Sequence, residues 1–307
     1  MKVAVLIPCY NEEQAVAKVV RDFRAALPEA ALYVYDNNSS DRTVDAARDA
    51  GAIVRREPLQ GKGNVVRRMF ADVEADIYVM VDGDATYHAD SAPMMIAKLV
   101  TENLDMVVGT RLHTDEAGAF RHGHQLGNRL LTGFVAWLFG DRFGDMLSGY
   151  RVFSRRFVKS FPALAQGFET ETELAVHALA LRMPVDEVET PYFARPEGSV
   201  SKLNTWRDGW RILVTVFKLL KDERPLLFFT AASALFAALA VLLAIPVVFT
   251  YMETGLVPRF PTAILATGIM ILAFLSLASG FVLDNVKHGR REMKRLHYLQ
   301  LKAPGAE

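Results

Sequence analysis

Along residues 3–108, short apolar runs alternate with segments whose apolar residues recur at helical spacing. Residues 3–7 read as a strand. Residues 12–27 then place Ala15, Val16, Val19, Val20, Phe23 and Leu27 on one face, the period of an amphipathic helix. Residues 32–35, 52–54, 77–81 and 105–108 read as further strands, with helices over 42–50 and 64–70 between them. Strands alternating with helices predict an α/β fold with a mainly parallel, Rossmann-like sheet and right-handed crossovers. Polar clusters follow the first, second, fourth and fifth strands. The pattern therefore gathers them on one sheet edge, where ligands bind in open α/β sheets.

The pattern changes near residue 225. Residues 226–251 and 260–283 contain no Asp, Glu, Lys or Arg. Each run exceeds the roughly 20 residues a helix needs to cross a bilayer core. A buried hairpin of a soluble protein is the alternative, and it would normally show a polar stripe. Pro246 is a candidate kink in the first run. Lys218, Lys221 and Arg224 precede the first run, and Lys287, Arg290, Arg291, Lys294 and Arg295 follow the second. The positive-inside rule then puts both flanks and both termini on the cytoplasmic side of a multi-pass inner-membrane protein. In residues 203–220, Trp206, Trp210, Leu213, Val214, Phe217 and Leu220 recur at helical spacing. This is the pattern of an interfacial amphipathic helix, or of one packed on the preceding domain. The expected organisation is a soluble domain over 1–202, an amphipathic helix over 203–225, two spans within 226–284 and a basic tail over 285–307.

Charge and cysteine content change little in this picture. Lys plus Arg and Asp plus Glu balance at 35 each, which gives no reason to expect nucleic acid. Cys9 is the single cysteine, so no intrachain disulfide forms, in keeping with a reducing compartment. Residue 1 leads straight into the first strand, and no secretory signal peptide is expected.

Candidate chemistry centres on Asp82-Gly83-Asp84, directly after the fourth strand. Carboxylates are hard ligands suited to Mg²⁺ or Mn²⁺, and a cation there would bridge a diphosphate and stabilise it as a leaving group. The tripeptide by itself is equally an ordinary turn. Gly61-Lys62-Gly63 lacks the spacing of a Walker loop, and no Gly-x-Gly-x-x-Gly follows the first strand. His122 and His124 form an unspecific pair and read as structural or surface residues.

Taken together, the motifs resemble glycosyltransferase family two, and within it the polyprenyl-phosphate glycosyltransferases (the dolichyl-phosphate mannose synthase-like group). They are Pro8-Cys9-Tyr10-Asn11-Glu12, Asp36-Asn37-Asn38-Ser39-Ser40-Asp41-Arg42-Thr43, Gly61-Lys62-Gly63, Asp82-Gly83-Asp84, Gly109-Thr110-Arg111, Asp145-Met146-Leu147-Ser148-Gly149-Tyr150-Arg151 and Ser201-Lys202-Leu203. The resemblance implies a GT-A fold and inverting transfer from a nucleotide sugar to a polyprenyl phosphate at the bilayer. It implies a nucleotide-sugar pocket with Pro8, Tyr10, Glu12, Asp36, Lys62, Asp82, Gly83 and Asp84, the two aspartates bridging Mg²⁺ or Mn²⁺. Asp145, Arg111 and Arg151 are the expected catalytic group. Arg111, Arg121, Arg195, Ser201 and Lys202 are expected at the acceptor phosphate, with Arg129 a further cation. Asp145 is either a base or a group that orients Arg151 or the acceptor. Asp41 reads as a helix cap, and Glu169, Glu171 and Glu173 as a helix N-terminal turn or as acidic site residues. Thr86 stands where some dolichyl-phosphate mannose synthases carry Gln, and the loop over 195–202 looks one residue longer, so a UDP-sugar is favoured over GDP-mannose. Homo-oligomerisation through the spans is compatible with the resemblance. The rival readings are a transferase acting on a lipid or glycan hydroxyl, with Asp145 as base, and a non-catalytic membrane adaptor.

Overall fold

The computed structural model describes residues 1–113, 133–137, 144–165, 167, 169–195 and 205–304, with side chains in the seventh helix described from 214 onward. They form two compact units, Met1–Ile212 with Lys294–Glu307, and Leu213–Met293.

The first unit carries a seven-stranded sheet of order β3-β2-β1-β4-β6-β5-β7. Its strands are β1 (Val3–Cys9), β2 (Ala31–Asp36), β3 (Ile53–Arg56), β4 (Ile77–Met80), β5 (Met106–His113), β6 (Arg151–Ser154) and β7 (Val185–Tyr192). Helices α1 (Val16–Ala26), α2 (Thr43–Asp49), α3 (Lys62–Asp72), α4 (Ala92–Thr101), α5 (Arg155–Ser160) and α6 (Thr170–Leu181) connect them. All neighbouring strands run parallel except β6, which lies antiparallel between β4 and β5. The sheet is mixed and mostly parallel, as the alternation of strands and helices predicts.

Strand periodicity sends alternate residues to opposite faces. Val5, Ile7, Val79, Val107 and Val152 meet α1 and α4 through Val16, Val20, Phe23, Met95 and Leu99. Tyr78 and Phe153 point the other way, where Phe70 of α3 and Phe157 of α5 stack on them edge-on or in parallel. With both faces covered, the central strands are buried throughout, which is why β1 and β4 read as continuous apolar runs.

His177 of α6 is buried in this second layer between Phe157 and Phe161, with its Nε2 3.2 Å from Ser160 Oγ. Burial, reinforced by Lys294, holds its pKa down at about 3. Between about pH 6.5 and that value the unfolded chain binds the proton and the folded chain does not. Stability from this residue is therefore fully present at neutral pH and falls as pH drops, by at most about 1.4 kcal/mol per unit. Thermal unfolding of the protein in detergent should show Tm declining from pH 6.5 to 4.5. His177→Gln should flatten that decline, and an unchanged slope would remove His177 as its source.

The last turn of the final helix also belongs to this unit. Asp105, wholly buried just before β5, receives Ser154 Oγ at 2.7 Å, Tyr298 Oη at 2.7 Å and the Arg156 guanidinium. Arg156 also lies 5.0 Å from the Tyr298 ring centroid, and Arg295 donates to the Leu181 carbonyl at 2.9 Å.

The remaining helices are α7 (Thr205–Glu223), α8 (Pro225–Thr254) and α9 (Phe260–Leu299). Helix α8 continues through Pro246, and α9 runs unbroken past the end of its apolar stretch. Both α8 and α9 are long and apolar enough to cross a membrane. Their burial is inverted relative to a soluble protein. The described buried positions are Pro225 and Ala240 on α8 and Ala266, Ala273 and Gly280 on α9. Leu235, Leu242, Phe249, Phe274 and Phe281 face outward, each at least 60% exposed. The small residues recur once per heptad on α9 and let the two backbones approach, the usual device of helix pairs in lipid.

Candidate active site

The site forms where β1, β2 and β4 end side by side. The first two loops are stitched together by side chains that cap each other's backbone. Asn11 N–H donates to Ser39 Oγ at 2.9 Å, and Ser40 N–H donates to Asn11 Oδ1 at 2.8 Å. Asn11 holds φ 53°, a left-handed conformation that asparagine tolerates. Asp41 accepts from the Thr43 and Glu13 amides at 3.0 and 3.2 Å, so it joins both loops; the N-cap position of α2 is Arg42, one residue later than expected. Asn37 clamps the approach to α3: its Nδ2 donates to the Glu57 and Leu59 carbonyls at 2.9 and 2.8 Å, and its Oδ1 accepts from Gly61 N–H at 2.7 Å. Asp36 is fully enclosed at the end of β2, accepting from Ser39 N–H at 3.2 Å, with Arg56 Nε 3.4 Å from its Oδ2. Pro8 lies within β1 opposite Tyr35, and Tyr10 is exposed on the rim. Glu12 anchors the turn through its amide, 2.8 Å from Thr43 Oγ1.

The aspartate pair lies at the centre. Lys62, at the start of α3, places Nζ 2.5 Å from Asp82 Oδ1 and also contacts the Glu171 carboxylate of α6. Burial opposes the lysine's charge, but Asp82 and Glu171 outweigh it and hold its pKa raised. Gly149 backs Asp82 so closely that a Cβ there would fall 2.3 Å from Oδ2. Asp84 is buried and bonded by Arg195 Nη2 at 2.8 Å and by Thr86 Oγ1 at 2.7 Å. Burial and the Asp82 charge raise the Asp84 pKa against these donors. The turn that follows Asp84 is strained, since Ala85 adopts φ 58° without being glycine. Thr86 thus orients the Asp84 carboxylate.

The described residues hold no cluster of three His, Cys, Asp or Glu that would form a complete metal cage. Two hard carboxylates side by side at a strand end suit Mg²⁺ or Mn²⁺, which commonly takes one or two carboxylates and completes its shell with phosphate oxygens and water. Asp84, a buried carboxylate disfavoured as an anion by its neighbour, fits that use.

A second cluster sits on β5 and the segment before β6. Gly109-Thr110-Arg111 lies inside β5, paired with Val188–Thr190 of β7. Arg111 grips Asp145 with both prongs, Nε to Oδ2 at 2.6 Å and Nη2 to Oδ1 at 2.7 Å, and lies 5.6 Å from the Tyr192 ring centroid. Glu187 accepts from the Gly144 and Asp145 amides at 2.9 and 3.3 Å. Ser148 Oγ donates to the Gly109 carbonyl at 2.6 Å, and Gly149 N–H donates to Tyr87 Oη at 2.9 Å.

Two expectations shift here. Among the contacts described, the arginine that Asp145 holds is Arg111, not Arg151. Arg151 is 0% exposed and donates to the Ser148 and Met146 carbonyls at 3.0 and 2.5 Å, so it props the 145–149 loop from inside. Its interior position in β6 leaves it no surface to present to an acceptor. Arg195 meets Asp84, which places it beside the aspartate pair. Arg121, Arg129, Ser201 and Lys202 lie outside the described residues, as do His122, His124 and the side chains of Trp206 and Trp210. Glu171 joins the aspartate pair through Lys62, whereas Glu173 accepts from the Leu164 and Ala165 amides at 2.9 and 2.8 Å. Asn37, Tyr87 and Glu187 carry structural weight that the sequence did not single out, and Thr86, noted there only as a departure from the family pattern, orients Asp84. Asn37 had a signal in its position inside a motif. Tyr87 and Glu187 had none.

The comparisons agree with this architecture. A glycosyltransferase from Haloferax volcanii, AglJ, is 33% identical over 300 residues, covering 97% of this chain and 98% of that one. A dolichyl-phosphate hexose transferase of the same organism is 27% identical over 221 residues, 72% of this chain and 95% of its own length. The crystal structure of glucosyl-3-phosphoglycerate synthase from Mycobacterium tuberculosis with Mn²⁺, uridine-diphosphate-glucose and phosphoglyceric acid shares the fold. Its TM-score is 0.57 at 23% identity, over 71% of this chain and 79% of that one. The family model for glycosyl transferase family 2 matches residues 4–160. With this match and a relative alike over nearly its whole length, the chain belongs to glycosyl transferase family 2 and is a glycosyltransferase.

Proposed function

We propose that the enzyme transfers a sugar from a UDP-sugar to a polyprenyl phosphate at the cytoplasmic face of a membrane, with inversion. The observation that carries this reading is the two-pronged Arg111–Asp145 pair beside the aspartate centre. Both Asp145 oxygens are engaged by a guanidinium, which stabilises the carboxylate as an anion and makes it a poor proton acceptor. A hydroxyl nucleophile needs a base. A phosphate oxygen is already anionic near neutral pH and needs only counter-charge and alignment.

In this reading the acceptor oxygen attacks the anomeric carbon while the bond to the diphosphate breaks on the opposite face. Pro8, Tyr10, Glu12 and Asp36 belong to the nucleotide end. Asp82 and Asp84 would hold Mg²⁺ or Mn²⁺, which would supply charge neutralisation for the departing diphosphate. Lys62 and Glu171 fix Asp82 in place. Arg111 positions the acceptor phosphate, Asp145 positions Arg111, and Arg151 supports their loop. Arg121, Arg195, Ser201 and Lys202 are assigned to the acceptor side by family resemblance alone. Helices α8 and α9 anchor the enzyme in the bilayer, and the amphipathic α7 lies at its surface. The uridine nucleotide and Mn²⁺ of the solved neighbour, and the dolichyl phosphate in the relative's name, support the donor, metal and acceptor classes.

A panel of UDP- and GDP-sugars, offered with polyprenyl phosphate and Mg²⁺ or Mn²⁺, tests this by mass detection of the lipid product. The expected result is a metal-dependent polyprenyl-phosphate sugar from a UDP donor. Transfer to a lipid or glycan hydroxyl, with none to polyprenyl phosphate, would overturn it.

A further inference from the structure

Asp84 is held by the chain on both of its oxygens. Its Oδ1 accepts from Thr86 Oγ1 at 2.7 Å and from the Thr86 amide at 3.3 Å, which fills that oxygen's two lone pairs. Its Oδ2 carries Arg195 Nη2 at 2.8 Å. Oδ2 is therefore the oxygen left to ligate a metal ion, and Arg195 already stands on it.

The two aspartates differ in how their cations are tied. Lys62 opens α3, is largely buried and is shared between Asp82 and Glu171. The Asp82 side chain is 29% exposed, so it offers room without losing its lysine. The Asp84 side chain is only 7% exposed. Arg195 is less restrained, at 31% exposed and beyond β7, in chain that is neither helix nor strand. The last clips before it are the Phe193 N–H, which donates to the Thr86 carbonyl at 2.9 Å, and the antiparallel bridge between Tyr87 and Tyr192. These fix the strand end beside the aspartate pair. Arg195 lies two residues past them, so its side chain can leave Asp84 without moving β7.

Mg²⁺ or Mn²⁺ sits about 2.1 Å from a carboxylate oxygen. An oxygen that also took the guanidinium at 2.8 Å would hold two like charges close together in a buried site, where repulsion is strong. With neither cation, Asp84 would be a buried carboxylate beside a second one, which costs stability.

We propose that Arg195 competes with the metal ion: it occupies the Asp84 oxygen that Mg²⁺ or Mn²⁺ ligates, keeps that carboxylate compensated, and is released as the ion binds. Arg195 thereby sets the metal affinity of the centre. The proposal rests on reading Asp82 and Asp84 as the metal pair.

Two measurements on the full-length protein in detergent, made without sugar donor, test it. Electron paramagnetic resonance of free Mn²⁺ gives the binding constant. Arg195→Gln should lower the Kd for Mn²⁺ about tenfold, the loss of one competing hydrogen-bonded charge that is partly exposed. Arg195→Lys, which keeps a cation, should stay near the wild-type value. Labelling of Arg195 by phenylglyoxal, read by peptide mass, follows the guanidinium itself in the wild type. Mg²⁺ should speed this labelling to the rate found in Asp84→Asn, where it should no longer respond to the ion. Mn²⁺ or Mg²⁺ binding to the wild type with no gain in Arg195 labelling overturns the proposal. So does an Arg195→Gln variant whose Mn²⁺ affinity is unchanged or weaker. A wild type that binds no Mn²⁺, even with UDP added, overturns the metal reading of the aspartate pair and the proposal with it.

Discussion

Asp84→Asn should lower sugar transfer by about 10²–10³-fold, the scale seen when a group that stabilises developing charge is removed. Asparagine keeps the shape of the side chain and its oxygen still accepts from Thr86, so the turn survives. What is lost is the negative charge beside Asp82, on which a divalent cation and its diphosphate depend. The loss should be steeper at low metal concentration and only partly recovered at high concentration, because Asp82 still supplies one carboxylate. Arg195, 2.8 Å from Asp84 in the wild type, loses its ionic partner in the variant. Initial rates of lipid-product formation across an Mg²⁺ or Mn²⁺ titration measure this. A variant that keeps wild-type rates at moderate metal concentration would remove the aspartate pair from the reaction.

Arg111→Ala and Asp145→Asn form the second comparison. They separate the two acceptor chemistries because the residues bind each other face to face. If the acceptor is a phosphate, Arg111→Ala removes its counter-charge together with the two-pronged grip on Asp145. Transfer should then fall by about 10²–10³-fold. Asp145→Asn leaves the guanidinium in place with one good acceptor, so its loss should be nearer tenfold and should appear mainly as a raised KM for the lipid. If the acceptor is a hydroxyl, the order reverses. Asp145→Asn would then abolish proton removal, and kcat rather than KM would collapse. Steady-state kinetics with both variants decide between the two outcomes.

The sequence made the α/β architecture legible through β1 to β5 because β1, β2, β4 and the start of β5 are largely buried, and all five strands are bracketed by turn residues. It was silent on β6 and β7 for identifiable reasons. Strand β6 opens with Arg151, a charged residue whose interior place depends on two backbone carbonyls of the loop that leads into it. Strand β7 reads Val-Asp-Glu-Val-Glu-Thr-Pro-Tyr, an edge strand with three acidic residues and a proline, which pattern alone assigns to a loop. The candidate site was legible as a set of motifs on one sheet edge. Its pairings were not, because each joins residues far apart in the chain. Lys62 meets Asp82 and Glu171, Asp84 meets Arg195, and Arg111 meets Asp145. No local spacing encodes which carboxylate takes which cation.

The Asp105–Tyr298 bond bears on how the chain is made. The ribosome delivers residues from the first to the last, yet Asp105 receives Tyr298 from the closing turn of α9. The sheet-bearing unit is thus discontinuous, and its final pieces, Lys294–Glu307, emerge only after both uncharged stretches, 226–251 and 260–283. The nascent unit must wait, with Asp105 short of one donor, while those stretches are inserted. A soluble fragment cut at residue 212 would stay in that unfinished state. It lacks a hydrogen bond to a charged group, a contact worth about 1.5–3 kcal/mol. Completion of the sheet-bearing unit is thereby tied to synthesis of the apolar hairpin, so a chain truncated within the hairpin also leaves that unit incomplete.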